Sequence, residues 1–165
     1  MEFEVFLNNS IDLLEKNHKF FPNSRIMRVE TFNLIQETLE KYTGKAALLL
    51  LSRLGELNAE IMLKGKKFVN MKLKDLLSES IKFGSNHKWF DFDSISYGEE
   101  EIIMKFKSTF ESKNHSRVNR SVCSFVEGLI NKISNSSKEK HICVCEETRC
   151  LAKGDEFCEF KIKKI

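Results

Sequence analysis

HICVCEETRCLAKGDEFCEFKI, residues 141–162, decides how this chain is read. HICVCEE has the composition of a strand, LAKGD is a turn, and EFCEFKIKK alternates as a second strand. In the last strand Cys158, Phe160 and Ile162 share one face, and Glu159, Lys161 and Lys163 share the other. Cys158 therefore points where the apolar residues point. Four of the chain's five cysteines fall in this stretch, and the fifth is Cys123.

Upstream, the period changes twice. From Arg28 it is helical: Phe32, Ile35, Leu39 and Tyr42 recur at three and four residues and predict one apolar stripe. A second helix runs through KAALLLLSRLGELNAEIML to Gly65, with its Leu48–Leu51 block apolar all round and hence central to the core. A third, KLKDLLSESIKF, sets Leu73, Leu76, Leu77 and Ile81 on one face and stops at Gly84. The period then becomes two. KWFDFDSI alternates Phe90 and Phe92 against Asp91 and Asp93. EIIMKFKS alternates Ile102, Met104 and Phe106 against Ile103, Lys105 and Lys107. Together they predict an antiparallel hairpin with one buried face.

A fourth helix is predicted from about Ser116, with Val118, Val122, Phe125, Val126, Leu129, Ile130 and Ile133 inward and Cys123 on the same side. Gly128 inside it costs roughly 1 kcal/mol relative to Ala, which points to a close approach of helix to sheet. The fold class is α+β: a helical N-terminal half packed on a mainly antiparallel sheet, with one long helix inserted before the C-terminal hairpin. The single proline, Pro22, sets off an N-terminal arm, residues 1–25, from a domain over 26–165. Within the arm EFEVF reads as a strand and SIDLLEKN as a short helix capped by Ser10.

Composition excludes several classes. The net charge of +3 comes from interspersed Lys and Glu. Clusters such as Lys64-Gly65-Lys66-Lys67 are too short for a phosphate-tracking groove, so no direct nucleic-acid binding is expected. The longest apolar run, Ala46 to Leu51, is far below the roughly 20 residues needed to cross a bilayer. The acidic opening MEFEVF lacks the basic start of a signal peptide, so a cytoplasmic protein is expected, with its cysteines reduced or metal-bound. There is no dinucleotide fingerprint, no phosphate-binding loop and no nucleophile beside a base, so the residues give no support for catalysis. The 14 phenylalanines, against two tyrosines and one tryptophan, fill a core or line an apolar cavity.

Spaced cysteines in a reducing compartment suggest metal. Zinc takes thiolate, imidazole or carboxylate ligands, four at a time in structural sites. Cys150 and Cys158 flank the turn at Gly154, so their sulfurs can converge. Glu147 ends the preceding strand, and Cys123 on the inner face of the fourth helix can reach the sheet. Cys123, Glu147, Cys150 and Cys158 are one candidate set. The rival set replaces Cys123 and Glu147 with Cys143 and Cys145, which lie about 7 Å apart on one strand face. A third reading makes Cys143, Cys145 and Cys123 small buried apolar groups.

SVCSFVEGLINKI, residues 121–133, followed by the opening stretch, resembles the 4-vinyl reductase domain family. The shared elements are Cys123, Gly128, Glu147, Cys150, Gly154, Asp155, Cys158 and Phe160, within residues 117–164. The resemblance implies a small-molecule-binding domain, related in fold to haem-nitric-oxide-binding domains and to subunits of vesicle-tethering complexes. It implies a zinc ion held by Cys123, Glu147, Cys150 and Cys158, and a homodimer. Four protein ligands leave no open position, so that zinc is structural. Arg149 and Lys153 stand near enough in sequence to offset its ligands' excess negative charge.

With the metal structural, function falls to a pocket that is mostly apolar with a few polar groups. HKWFDF supplies the local candidates His87, Trp89, Phe90 and Phe92, for a hydrophobic or aromatic ligand oriented by hydrogen bonding. His115 reads as a surface residue near a helix start, His141 as a substitute ligand beside Cys143, and His18 as surface. The expected function is a sensor or carrier domain. The alternatives are an interaction scaffold like the tethering subunits, or an accessory to a reductive pathway.

Overall fold

The computed structural model describes residues 29–64, 68, 70–113, 115, 118–139 and 141–165. The N-terminal arm with its strand and Ser10-capped helix, His18, the end of the second helix at Gly65 and the basic cluster's last three residues lie outside them. Helices α1 (Val29–Thr43), α2 (Ala46–Leu63) and α3 (Leu73–Asn86) come first. Strands β1 (Phe90–Tyr97) and β2 (Glu101–Thr109) form the expected hairpin. They are followed by the one-turn helix α4 (Phe110–Lys113), helix α5 (Ser124–Ser134), strand β3 (Cys143–Arg149), a 3-10 turn at Leu151–Lys153 and strand β4 (Cys158–Lys164). The sheet order is β1-β2-β4-β3, antiparallel throughout.

The period-2 reading of the strands holds. Ile102, Met104 and Phe106 on β2 and Cys158, Phe160 and Ile162 on β4 are buried on one face. Lys105 pairs with Glu159 and Lys161 with Glu101 across the outer face. The α3 stripe also holds, with Leu73, Leu76, Leu77 and Ile81 buried. Yet α3 does not stop at Gly84. It runs on to Asn86, and Gly84 is buried within it because the Phe90 ring packs where a Cβ would stand.

The helical half departs from its stripes. In α1 the buried residues are Phe32, Asn33 and Gln36, while Ile35 and Tyr42 are exposed. A polar contact turns this face inward: Gln36 Nε2 donates to the Val122 carbonyl at 3.0 Å, and Arg120 pairs with Glu40. In α2 the inward positions are Ala47, Leu51, Gly55, Ala59 and Met62, so the Leu48–Leu51 block is not central: Leu49 and Leu50 are exposed. Small residues face inward because α2 lies against α5 backbone to backbone. A Cβ on Gly128 would collide with the Ser52 carbonyl, and one on Gly55 would collide with the Phe125 carbonyl and stand 2.9 Å from Leu129 N. The close approach expected at Gly128 is therefore helix to helix, not helix to sheet.

Helix α5 begins at Ser124, eight residues later than the stripe suggested, so Val118 and Val122 precede it and Cys123 occupies its N-cap position. Neither α3 nor α5 has a local side-chain cap. Remote glutamates do that work instead. Glu139 Oε2 accepts from Leu73 N at 3.1 Å. The fully buried Glu111 accepts from Phe125 N at 3.0 Å and from Val126 N at 2.9 Å. A carboxylate there satisfies orphan N–H groups and meets the positive end of the helix dipole.

Candidate metal centre and aromatic cluster

Three elements deliver the four donor atoms. Cys123 arrives at the N-cap of α5, Glu147 on the inner face of β3, Cys150 at the end of β3 and Cys158 at the start of β4. All four are buried, and one ligand atom from each lies within 4.8 Å of all the others. The Cys123 sulfur stands 3.8 Å from the Cys150 sulfur and 3.8 Å from the Cys158 sulfur.

The Gly-Asp turn sets the spacing of Cys150 and Cys158. Gly154 adopts φ +110°, a conformation open to glycine. Beyond it the Asp155 carboxylate accepts from Cys150 N at 2.8 Å, and Asp155 N donates to the Cys150 carbonyl at 3.2 Å. Glu147 is held from the other side. A ladder on α5 meets alternate N–H groups of β3: Glu127 Oε2 accepts from Glu147 N at 3.0 Å, Asn131 Oδ1 from Cys145 N at 3.2 Å, and Asn135 Oδ1 from Cys143 N at 2.9 Å. These four-residue steps along the helix match two-residue steps along the strand, because both advance about 6 Å.

Without a cation the four groups cannot all be held as anions. Burial and the neighbouring Cys150 push the Glu147 carboxyl up to about 8. Burial drives the Cys123 thiol well up, whereas hydrogen bonds from the Cys123 and Cys150 thiols push Cys158 down to about 4. The anionic forms therefore compete for one small space. Glu147 Oε2 accepts from Cys123 N at 3.2 Å, but Oε1 is buried with no partner. Such an orphan is rare in native structures and calls for an explanation. A sulfur tetrahedron around zinc, with bonds of about 2.3 Å, has edges of about 3.8 Å. The donor set thus fits a metal ion in distance, burial and chemistry.

Negative charge at the site is met by dipoles and not by the expected cations. Thr109 Oγ1 lies 3.1 Å from the Cys123 sulfur, and Leu151 N donates to the Cys158 sulfur at 3.4 Å. Arg149 is exposed, its guanidinium over the Phe157 ring at 5.2 Å, and Lys153 is exposed. Cys143 and Cys145 are buried on the same strand face as Glu147 but stand outside the four-residue group, and burial raises both thiols. His141 is exposed and also outside the group. His115 is not a plain surface residue, because its Nδ1 is buried without a partner. Glu111, Thr109 and the three α5 side chains of the ladder escaped the sequence reading. Only the four-residue repeat Glu127, Asn131, Asn135 on a helix preceding a strand could have signalled the ladder.

The four residues nominated for a ligand divide between two aromatic clusters. His87 stacks on Phe83 at 4.1 Å between ring centroids, and its Nδ1 donates to the Phe83 carbonyl at 2.8 Å. Trp89 meets Phe83 at 5.6 Å and Phe125 at 6.4 Å, and the chain of rings continues through Phe110 to Phe32. Phe90 and Phe92 pack instead on Phe106, at 4.7 and 5.7 Å. Successive residues entering β1 point to opposite sides, which parts Trp89 from Phe90. Two surface hollows, of about 240 and 380 Å³, are lined by other residues: Glu40, Lys45, Leu48 and Arg120 in one, Met71, Asp75 and Lys82 in the other.

No family model matches the sequence. An uncharacterized protein of Methanocaldococcus jannaschii is 34% identical over 65 residues, which cover 39% of this chain and 37% of that protein. Among solved structures, the phenol-responsive sensory domain of the transcription activator PoxR, determined with phenol, aligns with a TM-score of 0.65 at 12% identity, over 86% of this chain and 76% of that one. A vinyl-4-reductase family protein from M. jannaschii aligns at 0.53 and 14% identity, over 93% of both chains. An H-NOX protein from K. algicida aligns at 0.55 and 17% identity, over 86% of this chain and 75% of that one. No described helix is long and apolar enough to cross a membrane. At these identities the likeness is one of fold, and the chain has the α+β fold found in a vinyl-4-reductase family protein, in H-NOX proteins and in a phenol-responsive sensory domain.

Proposed function

We propose that this chain is a zinc-clamped small-molecule-binding domain, a sensor or carrier for a hydrophobic or aromatic ligand. The observation that carries the metal half is the convergence of Cys123, Glu147, Cys150 and Cys158 with the orphaned Glu147 Oε1 among them. Three thiolates and a carboxylate suit zinc, and with all four positions taken the ion ties α5 to the terminal hairpin instead of activating water. The fold it shares with a sensory domain bound to phenol supports the ligand half. The aromatic chain His87–Phe83–Trp89–Phe125 offers ring faces for stacking. Asn33 adds a buried amide with neither polar atom partnered, which suits a ligand hydroxyl or carbonyl. The protein acts in the cytoplasm, as a homodimer, without contacting nucleic acid directly.

Native mass spectrometry of the untagged protein tests this reading. One zinc per chain in the native mass, absent from the denatured mass, is the expected result. Trp89 is the single tryptophan, so its fluorescence reports the aromatic cluster directly. Saturable quenching by phenol or an alkylphenol, weakened in His87→Ala, supports the ligand half. A zinc-free protein overturns the clamp, and a flat titration with no co-purified organic mass overturns the ligand.

The exposed apolar side chains of α2 favour a second reading, a protein-interaction scaffold.

A further inference from the structure

The outer face of α2 carries an apolar seam that the described residues leave uncovered. Leu50, Leu54, Leu57 and Ile61 remain 48%, 47%, 41% and 61% exposed. Their spacing of four, three and four is the a/d repeat of a coiled-coil seam. Contiguous apolar surface of this kind marks an association site on a soluble domain. The helix cannot turn to bury it. Gly55 and Gly128 hold α2 and α5 in backbone contact, so the rotation of α2 is fixed with its small residues inward and the leucines outward.

We propose that the seam is a self-association surface, on which α2 of a second copy of this chain lies antiparallel. The inference rests on the dimer reading above, but not on its metal or its ligand. The arrangement is self-complementary about a two-fold axis. Leu54 of each copy faces Leu57 of the other, and Leu50 faces Ile61, so both apolar layers form twice. One border of the seam carries Arg53 and Glu60, at the positions that flank such a seam. With the helices antiparallel, Arg53 of each copy stands opposite Glu60 of the other. A parallel pairing would set Arg53 against the Asn58 position instead, next to the core, with no opposite charge. Both charges are available at the surface: Arg53 bonds Glu56 within its own helix, and Glu60 bonds Lys132 of α5 at 2.8 Å, each with solvent-exposed side chains. The charge pattern therefore selects a second copy in this orientation over an arbitrary apolar partner.

Light scattering on the full chain tests the proposal, with metal content and Tm recorded for every variant. The wild type is expected at twice its 19.2 kDa mass. Leu54→Glu and Leu57→Glu are expected at the monomer mass with metal content unchanged. Arg53→Glu and Glu60→Arg each raise the dimer dissociation constant about tenfold, and the double variant Arg53→Glu/Glu60→Arg recovers most of that loss because the cross-copy pair is restored with its signs exchanged. Recovery is a readout that a change in folding alone would not give. A wild-type monomer at 100 μM overturns both the dimer and the seam's role in it. So does a monomer whose seam leucines are protected from hydroxyl-radical labelling, since an intrachain cover or a different protein then holds the face. A wild-type dimer that survives both leucine variants leaves the dimer standing and overturns this interface.

Discussion

Asn135 reads the backbone of Cys143 as a neighbouring strand would: its Nδ2 donates to the Cys143 carbonyl at 2.7 Å, and its Oδ1 accepts from Cys143 N at 2.9 Å. With Asn131 and Glu127 it closes the free side of β3 and fixes where Glu147 stands. Asn135→Ala and Asn131→Ala each leave a buried N–H unpaired, at a cost of about 1–3 kcal/mol. Hydrogen exchange is the direct check: the amides of Cys143, Cys145 and Glu147 are expected to be slow in the wild type and to speed up in the variant missing their partner.

On the proposed zinc clamp, removing a sulfur from the four-residue centre would remove the ion and the folding energy it supplies. Cys150→Ser and Cys158→Ser are each expected to lose stoichiometric metal and about 4 kcal/mol or more, roughly 10 °C in Tm for a chain of this length. Cys145→Ser keeps its metal and loses about 1 kcal/mol, since it changes only a buried apolar contact. Equal melting temperatures for Cys150→Ser and wild type would sink the clamp.

A chelator gives the same comparison without mutation. Stripping the metal is expected to lower the wild-type Tm to near that of Cys158→Ser, and adding zinc back is expected to restore it. An unchanged wild-type Tm at full metal loss would show that the ion contributes nothing to folding.

Glu111→Ala exposes no surface and removes no metal donor, yet it leaves Phe125 N and Val126 N unpaired in the core. A loss of about 2–4 kcal/mol is expected from two buried donors. Glu111→Gln, which keeps one oxygen acceptor, is expected to lose about half as much. Urea denaturation of the metal-loaded proteins separates the two.

Gly128→Ala pushes a methyl group into the Ser52 carbonyl. Helix propensity alone predicts a gain of roughly 1 kcal/mol from this change. The backbone contact reverses the sign, and a loss of about 3 kcal/mol is expected. A stabilised Gly128→Ala would show that α2 and α5 do not pack backbone to backbone.

The strands were legible from sequence because their signal is local: a period of two places Phe106, Phe160 and Ile162 on the buried face whatever they meet. The four-residue centre was legible in composition and, through a family resemblance, in membership. The helices were less so. Leu49, Leu50 and Tyr42 read as core because apolar side chains usually are, but Gly55 and Gly128 draw the two backbones so close that α2 must turn small residues inward. Gln36 faces inward because the chain before α5 presents the Val122 carbonyl to it, a partner that leaves no local trace in α1. Remote caps leave no local trace: nothing near Ser124 announces that Glu111, thirteen residues earlier, satisfies its first turn.

The backbone contacts of Gly55 with Phe125 and of Gly128 with Ser52 also couple parts of the molecule that do different things. Backbones in contact cannot slide past each other without a collision, so α2 and α5 move as one lever. One end of that lever is Cys123 at the centre, and the same end carries the Phe125 ring beside Trp89. Its far side is the leucine seam. On the proposed function, a ring displaced by an incoming ligand, or a sulfur released from a bound ion, would be felt at the outer face of α2, where a second copy is proposed to dock.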